Sequence, residues 1–102
     1  MIIWSIKEIY YSKLDNNGNV LVDNKRITAN TFSSERPIIL VDGNDYVNIL
    51  LLDDRDCNFN IYYKKIDDNG NFILSDKKLT SDIIVDFDAA LSSNVTAIVY
   101  QT

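Results

Sequence analysis

Four consecutive charged residues, Asp53-Asp54-Arg55-Asp56, form the densest polar cluster in this chain of 102 residues. Three carboxylates around one guanidinium can hold a cation or a polar ligand at the edge of a sheet. They can also hold each other, with Arg55 fixing the loop through charge-assisted hydrogen bonds to nearby carboxylates or carbonyls. Trp4 and Tyr100 stand near the two chain ends. Such rings stack on sugars or grip a partner because they join apolar area to a polar handle. Trp4, Asp53, Arg55, Asp56 and Tyr100 are therefore the candidate ligand-binding residues.

Catalysis has little to draw on. The chain has no histidine, which removes the usual general base near neutral pH and the commonest metal ligand. Ser33-Ser34, Ser92-Ser93 and Cys57 consequently lack the base that would activate them. Glu8 and Glu35 lie at non-equivalent places, with nothing in the sequence to bring them to the separation of roughly 5–10 Å that a glycosidase pair needs. Asp15-Asn16-Asn17-Gly18-Asn19 and Asp67-Asp68-Asn69-Gly70-Asn71 are rich in oxygen donors, which hard cations prefer. Neither has the spacing of a calcium loop or its closing glutamate. The sequence leads us to expect no catalytic site, no metal and no cofactor.

Ten basic against fifteen acidic residues give a net charge of −5. An acidic surface argues against a nucleic-acid partner, which requires a basic stripe. No run reaches the length of a membrane-spanning helix. The opening Met1-Ile2-Ile3-Trp4-Ser5 lacks the basic start and long apolar stretch of a signal peptide. If the chain is complete, these features predict a cytoplasmic protein. Cys57 is the sole cysteine, so no intrachain disulfide can form.

The elements that position these residues are predicted to be short strands. Ile9 to Thr28 (IYYSKLDNNGNVLVDNKRIT) aligns without a gap on Ile61 to Thr80 (IYYKKIDDNGNFILSDKKLT), with ten of twenty positions identical at an offset of 52 residues. Each copy reads as two strands joined by Asp-x-Asn-Gly, residues that tolerate the positive φ of a tight hairpin. Further strands are expected at Pro37 to Leu40, Tyr46 to Leu52, Ile83 to Val85, Phe87 to Leu91 and Val95 to Tyr100. Pro37 falls near a strand start, where its missing donor is tolerated. In the adjacent pairs Tyr10-Tyr11 and Tyr62-Tyr63 one ring must face away from the other, so inter-sheet packing is their expected role.

A repeat of this size points to an all-β fold of four-stranded antiparallel propeller blades. One domain would span residues 1–102, with repeat cores 9–28 and 61–80, a complete blade at 36–80 and partial blades at 1–28 and 83–101. The alternative is a small autonomous β-sandwich or barrel.

The stretch Ser34-Glu35-Arg36-Pro37-Ile38-Ile39-Leu40-Val41-Asp42-Gly43-Asn44 carries a wider likeness. So do Val47 to Leu52, Asp53-Asp54-Arg55-Asp56, Ile61-Tyr62-Tyr63 and Lys65-Ile66-Asp67. Together they resemble the repeat of archaeal and bacterial propellers of the sialidase-like type. Leu52 stands where that family tends to carry Trp, and the segment after Trp4 is shorter than the Asp53–Asp56 loop. The resemblance implies a non-catalytic binding or self-assembly module, whose blades are completed by further copies or by missing blades of a longer chain. Its alternatives are a lectin-like module that binds carbohydrate, or a fragment of a propeller glycosidase.

Overall fold

The computed structural model describes residues 7–28 and 32–102. Met1 to Ser5 and Trp4 within it lie outside the described residues. Among the described residues there are eight strands: β1 (Tyr10–Leu14), β2 (Val20–Arg26), β3 (Ser34–Val41), β4 (Val47–Asp53), β5 (Asn60–Ile66), β6 (Phe72–Lys78), β7 (Asp86–Ser92) and β8 (Val95–Gln101). No helix among them is long and apolar enough to cross a membrane.

Four turns share one frame. An aspartate opens each, and its carbonyl accepts the N–H of the residue three positions on: Asp15 from Gly18, Asp42 from Asp45, Asp54 from Cys57 and Asp67 from Gly70. That third residue always has positive φ: 84° at Gly18, 64° at Asp45, 73° at Cys57 and 87° at Gly70. In three of the turns the aspartate side chain closes the loop as well. Asp15 Oδ1 accepts the N–H groups of Asn17 and Asn19, Asp67 Oδ1 those of Asn69 and Asn71, and Asp42 Oδ1 those of Asn44 and Tyr46. These bonds favour the ionised carboxylate. The Asn19 side chain and then its backbone N–H hold Asp15 below the ordinary carboxylate range; the Asn71 N–H does the same for Asp67.

All pairings are antiparallel, in three sheets: β1-β2, β3-β4-β5-β6 and β7-β8. The four-stranded sheet is the middle layer. On one face Val47, Ile49 and Leu51 of β4, with Tyr62 and Ile66 of β5, meet Ile9, Tyr11, Val22 and Ile27 of the first hairpin. On the other, Leu50 and Leu52 with Ile61 and Tyr63 meet Ile84, Phe87, Ala89 and Ile98 around the last hairpin. β4 is paired on both edges and covered on both faces, so its whole VNILLLD run is buried. Continuous apolar character, instead of alternation, suits a strand in that position.

Polar contacts fix the outer layers. The Lys13 ammonium reaches the Asp68 carboxylate and carbonyl, and a Cβ on Gly70 would lie 3.2 Å from Val22 Cγ1. On the opposite side Arg36 Nη1 pairs with Asp86 at 3.0 Å, and Ile84 N–H donates to the Phe59 carbonyl. Ile83 to Val85, expected as a strand, is a linker making single bonds to Phe59 and Gln101. β3 starts at Ser34, ahead of Pro37, and carries a bulge between Glu35 and Ile38 with Arg36 at φ 54°.

The all-β expectation holds, but the propeller-blade architecture does not. No sheet closes into a barrel or a ring, and the 2-4-2 stack is a β-sandwich with an extra layer. The sialidase-type resemblance is corrected with it. The physical reason lies in the coverage of the central sheet. Both of its apolar faces are met by hairpins of the same chain, so no neighbouring blade is needed to bury them. The likeness between residues 9–28 and 61–80 is a likeness of hairpins. One forms a layer of its own, and the other is half of the middle sheet. Both pin their first strand alike: Thr28 Oγ1 accepts the Ile9 N–H at 3.0 Å, and Thr80 Oγ1 the Ile61 N–H at 3.0 Å.

Candidate functional site

Asp53, Arg55 and Asp56 come together at the β4–β5 turn. Asp53 ends β4 on the same face as Leu51 and is fully buried, so its carboxylate requires partners. It accepts from Ser34 Oγ at 2.7 Å, from the Arg55 N–H at 2.9 Å and from Arg55 Nε and Nη2 at 3.0 and 3.2 Å. This two-pronged pairing raises the Arg55 pKa above its ordinary value. The guanidinium also lies 4.1 Å from the Tyr62 ring centroid and 3.6 Å from Asp76. Asp76 sits in the β6 bulge at φ 61° and receives Lys64 Nζ at 2.6 Å. Its burial works against ionisation, but Lys64 and Arg55 outweigh it and hold Asp76 below the carboxylate range.

The same network continues outward. Asp56 accepts from Tyr62 Oη at 2.5 Å and from Lys78 Nζ at 3.0 Å, which keeps its pKa low. Burial, then the Asp56 bond, pushes the Tyr62 phenol up to about 12. Asp53, Asp56 and Asp76 thus face Arg55, Lys64 and Lys78, with charges balanced. The cluster is a clamp that ties the β4–β5 turn to β5 and β6, each charge being answered from within. The turn aspartates Asp15 and Asp67 behave likewise, with Oδ1 taken by backbone N–H groups and Oδ2 by the Asn19 or Asn71 side-chain amide. Glu8 and Glu35 are apart in role: Glu8 meets Thr28 and Arg26, and Glu35 meets Lys7.

Tyr100 stands elsewhere, on β8, beside a shallow crevice lined by Asp86, Phe87, Asp88, Val99 and Gln101. Trp4 lies outside the described residues.

A second concavity, more spacious than that crevice, is one that no sequence motif marked. A two-stranded hairpin cannot cover four strands, and β7-β8 leaves the β5–β6 side of its face open. The resulting groove encloses about 550 Å³ and is lined by Leu50, Tyr63, Leu74, Lys77, Leu79, Asn94, Thr96 and Ile98. The buried Leu50 and the half-buried Ile98 and Tyr63 form its base, while Leu74 and Leu79 stay 40% and 37% exposed. The Tyr63 hydroxyl bonds inward to the Asn48 side chain, leaving the ring as its contribution to the groove. Asn94, at φ 63° in the β7–β8 turn, accepts the Gly43 N–H at 3.1 Å through Oδ1, which orients its amide.

The groove draws on five places far apart in sequence: β4, β5, β6 with the residue after it, the β7–β8 turn, and β8. Only the spare apolar character of Leu74 on β6 and of Leu79 just after it, beside a strand with no complete partner layer, could have hinted at it. Among the described residues no group of His, Cys, Asp and Glu is arranged to hold a metal ion. Compared with known proteins, the chain matches no protein-family model, no curated protein and no solved structure.

Proposed function

We propose that this chain is a non-catalytic, lectin-like module that binds a carbohydrate in the groove between β6 and β8. The observation that carries the proposal is the lining: an apolar floor with one aromatic ring, bordered by a carboxamide, a hydroxyl and an ammonium. A sugar has the matching surface. Its C–H face packs on leucine and tyrosine carbons, while its hydroxyls exchange hydrogen bonds with Asn94 and Thr96. The volume falls within the range of about 300–1,000 Å³ typical of small-molecule sites. No carboxylate lines the groove, so it offers no acid–base pair for cleaving a glycosidic bond.

The reading as a propeller unit completed by other copies or by missing blades is corrected, because the sheets stack without closing. The proposed site instead lies within one chain.

The test is a glycan array followed by calorimetry on the best binders, with Asn94→Ala and Thr96→Val alongside wild type. Thr96→Val loses one hydroxyl at a half-exposed position, and Asn94→Ala loses an exposed amide together with its bond to the Gly43 N–H, so Thr96→Val is the cleaner of the two. We expect about a five- to tenfold weakening from each, as for a single hydrogen bond of about 1–1.5 kcal/mol. Binding that both variants leave unchanged would place the site elsewhere, and no glycan binding at all would end the reading.

A further inference from the structure

We infer that the groove selects saccharides carrying a carboxylate, such as uronic acids, and that Lys77 is the residue that reads the charge. This rests on the carbohydrate reading above and specifies its ligand.

The chain has ten lysines and arginines against fifteen acidic residues, and all ten basic residues are described. Eight pair with a carboxylate, among them Lys13 with Asp68, Lys65 with Asp42 and Lys78 with Asp56. A ninth, Lys25, lies 4.9 Å over the Phe72 ring. Lys77 alone has neither kind of partner among the described residues, and it lines the groove.

The contrast with its neighbour is set by the strand. Lys77 and Lys78 are adjacent on β6, so they project to opposite faces. Lys78 turns toward the clamp and meets Asp56 at 3.0 Å. Lys77 is paired across the sheet with Tyr63 and faces a groove that contains no Asp or Glu. In a protein of net charge −5, an ammonium without a carboxylate beside it is a local positive site.

A sugar carboxylate completes this arrangement. Its single charge matches a single ammonium, and its second oxygen can accept from the Thr96 hydroxyl or the Asn94 amide. Lys77 itself is exposed, so the pair will weaken as salt rises.

The experiment compares glucuronate- and galacturonate-terminated glycans with their glucose and galactose counterparts and with sulfated glycans, on wild type, Lys77→Gln and Lys78→Gln. We expect about two- to fivefold tighter binding of the carboxylated member of each pair, as for an exposed ion pair of about 0.4–1 kcal/mol. That preference should shrink at high salt, vanish in K77Q and persist in K78Q. Equal binding of neutral and carboxylated glycans would overturn the inference while leaving the carbohydrate reading intact. So would a preference that survives K77Q. Selection of sulfated over carboxylated glycans would overturn the carboxylate assignment. Failure of wild type to bind any glycan would overturn the carbohydrate reading, and this inference with it.

Discussion

Replacing Cys57 by glycine should make the protein more stable. Cys57 occupies the position that Gly18 and Gly70 fill in the matching turns, at φ 73° against their 84° and 87°. An L-residue in the left-handed region costs about 1–2 kcal/mol, because Cβ crowds the following carbonyl oxygen. Glycine removes that cost but loses about 0.5–1 kcal/mol to its freer unfolded chain. The thiol is exposed, so its removal sacrifices no buried contact. The net gain is therefore centred on about 0.75 kcal/mol, or about 3–6 °C in Tm for a domain of this size. Urea unfolding followed by circular dichroism should show a higher midpoint with an unchanged slope. Cys57→Ala separates the thiol from the backbone: it keeps Cβ and should stay within about 0.5 kcal/mol of wild type. Asp45→Gly, at φ 64°, should gain less, since aspartate tolerates this region better than most residues. A C57G midpoint at or below that of C57A would refute the shared-turn reasoning.

Three further outcomes are expected. Gly18 and Gly70 have nearly the same φ, but a Cβ at Gly18 meets nothing within 4 Å, whereas one at Gly70 meets Val22. Gly18→Ala should therefore cost about 1 kcal/mol from backbone strain, and Gly70→Ala about 1 kcal/mol more from pressing the layers apart; equal midpoints would show that the first hairpin does not press on that turn. Arg55→Ala strips the guanidinium from a fully buried carboxylate and should cost about 3 kcal/mol, the low end for a broken buried pair because a fifth of the Arg55 side chain is exposed. A loss below about 1 kcal/mol in urea unfolding would mean that the clamp behaves as a surface pair. Stability should also fall at both pH extremes. Asp15, Asp67 and Asp76 are held below their unfolded value of about 3.9, so their contribution is complete above that pH and is lost on further acidification. Tyr62 is raised to about 12, so its contribution is complete below pH 10 and disappears as pH rises toward 12. Urea midpoints across pH check both limbs, and Tyr62→Phe should shrink the alkaline one.

The hairpins were legible because their information is local. Asp67 to Asn71 specifies its turn within five residues, and the same frame recurs at Asp15. The stacking order was not legible. Val47 to Leu52 announces a strand buried on both faces, but nothing in that run says whether the covering layers belong to the same chain or to a neighbour. The propeller expectation chose the neighbour, while the structure supplies Ile27 and Tyr11 on one face and Phe87 and Ile98 on the other. Charge density marks the Asp53–Asp56 loop in the sequence, yet density alone does not distinguish a site from a clamp. The partners that decide it, Asp76 and Lys78, lie about twenty residues further along. The groove was invisible for a related reason. Lys77 resembles Lys78 in sequence, and only the pleat of β6 separates a paired ammonium from an unpaired one.

The position of β4 gives the molecule a graded response to amide hydrogen exchange. Its N–H groups are held between β3 and β5 and shielded above and below, so they reach deuterium only when the whole domain opens. The outer hairpins are attached through one face each and can lift away separately, which sets two lower tiers of protection. The groove lies where the last hairpin meets the middle sheet, so an occupant bridging β6 and β8 would hold that hairpin down. Ligand would then slow exchange in β7 and β8 and, by raising the global free energy, in β4 as well, while leaving β1 and β2 at their own rate.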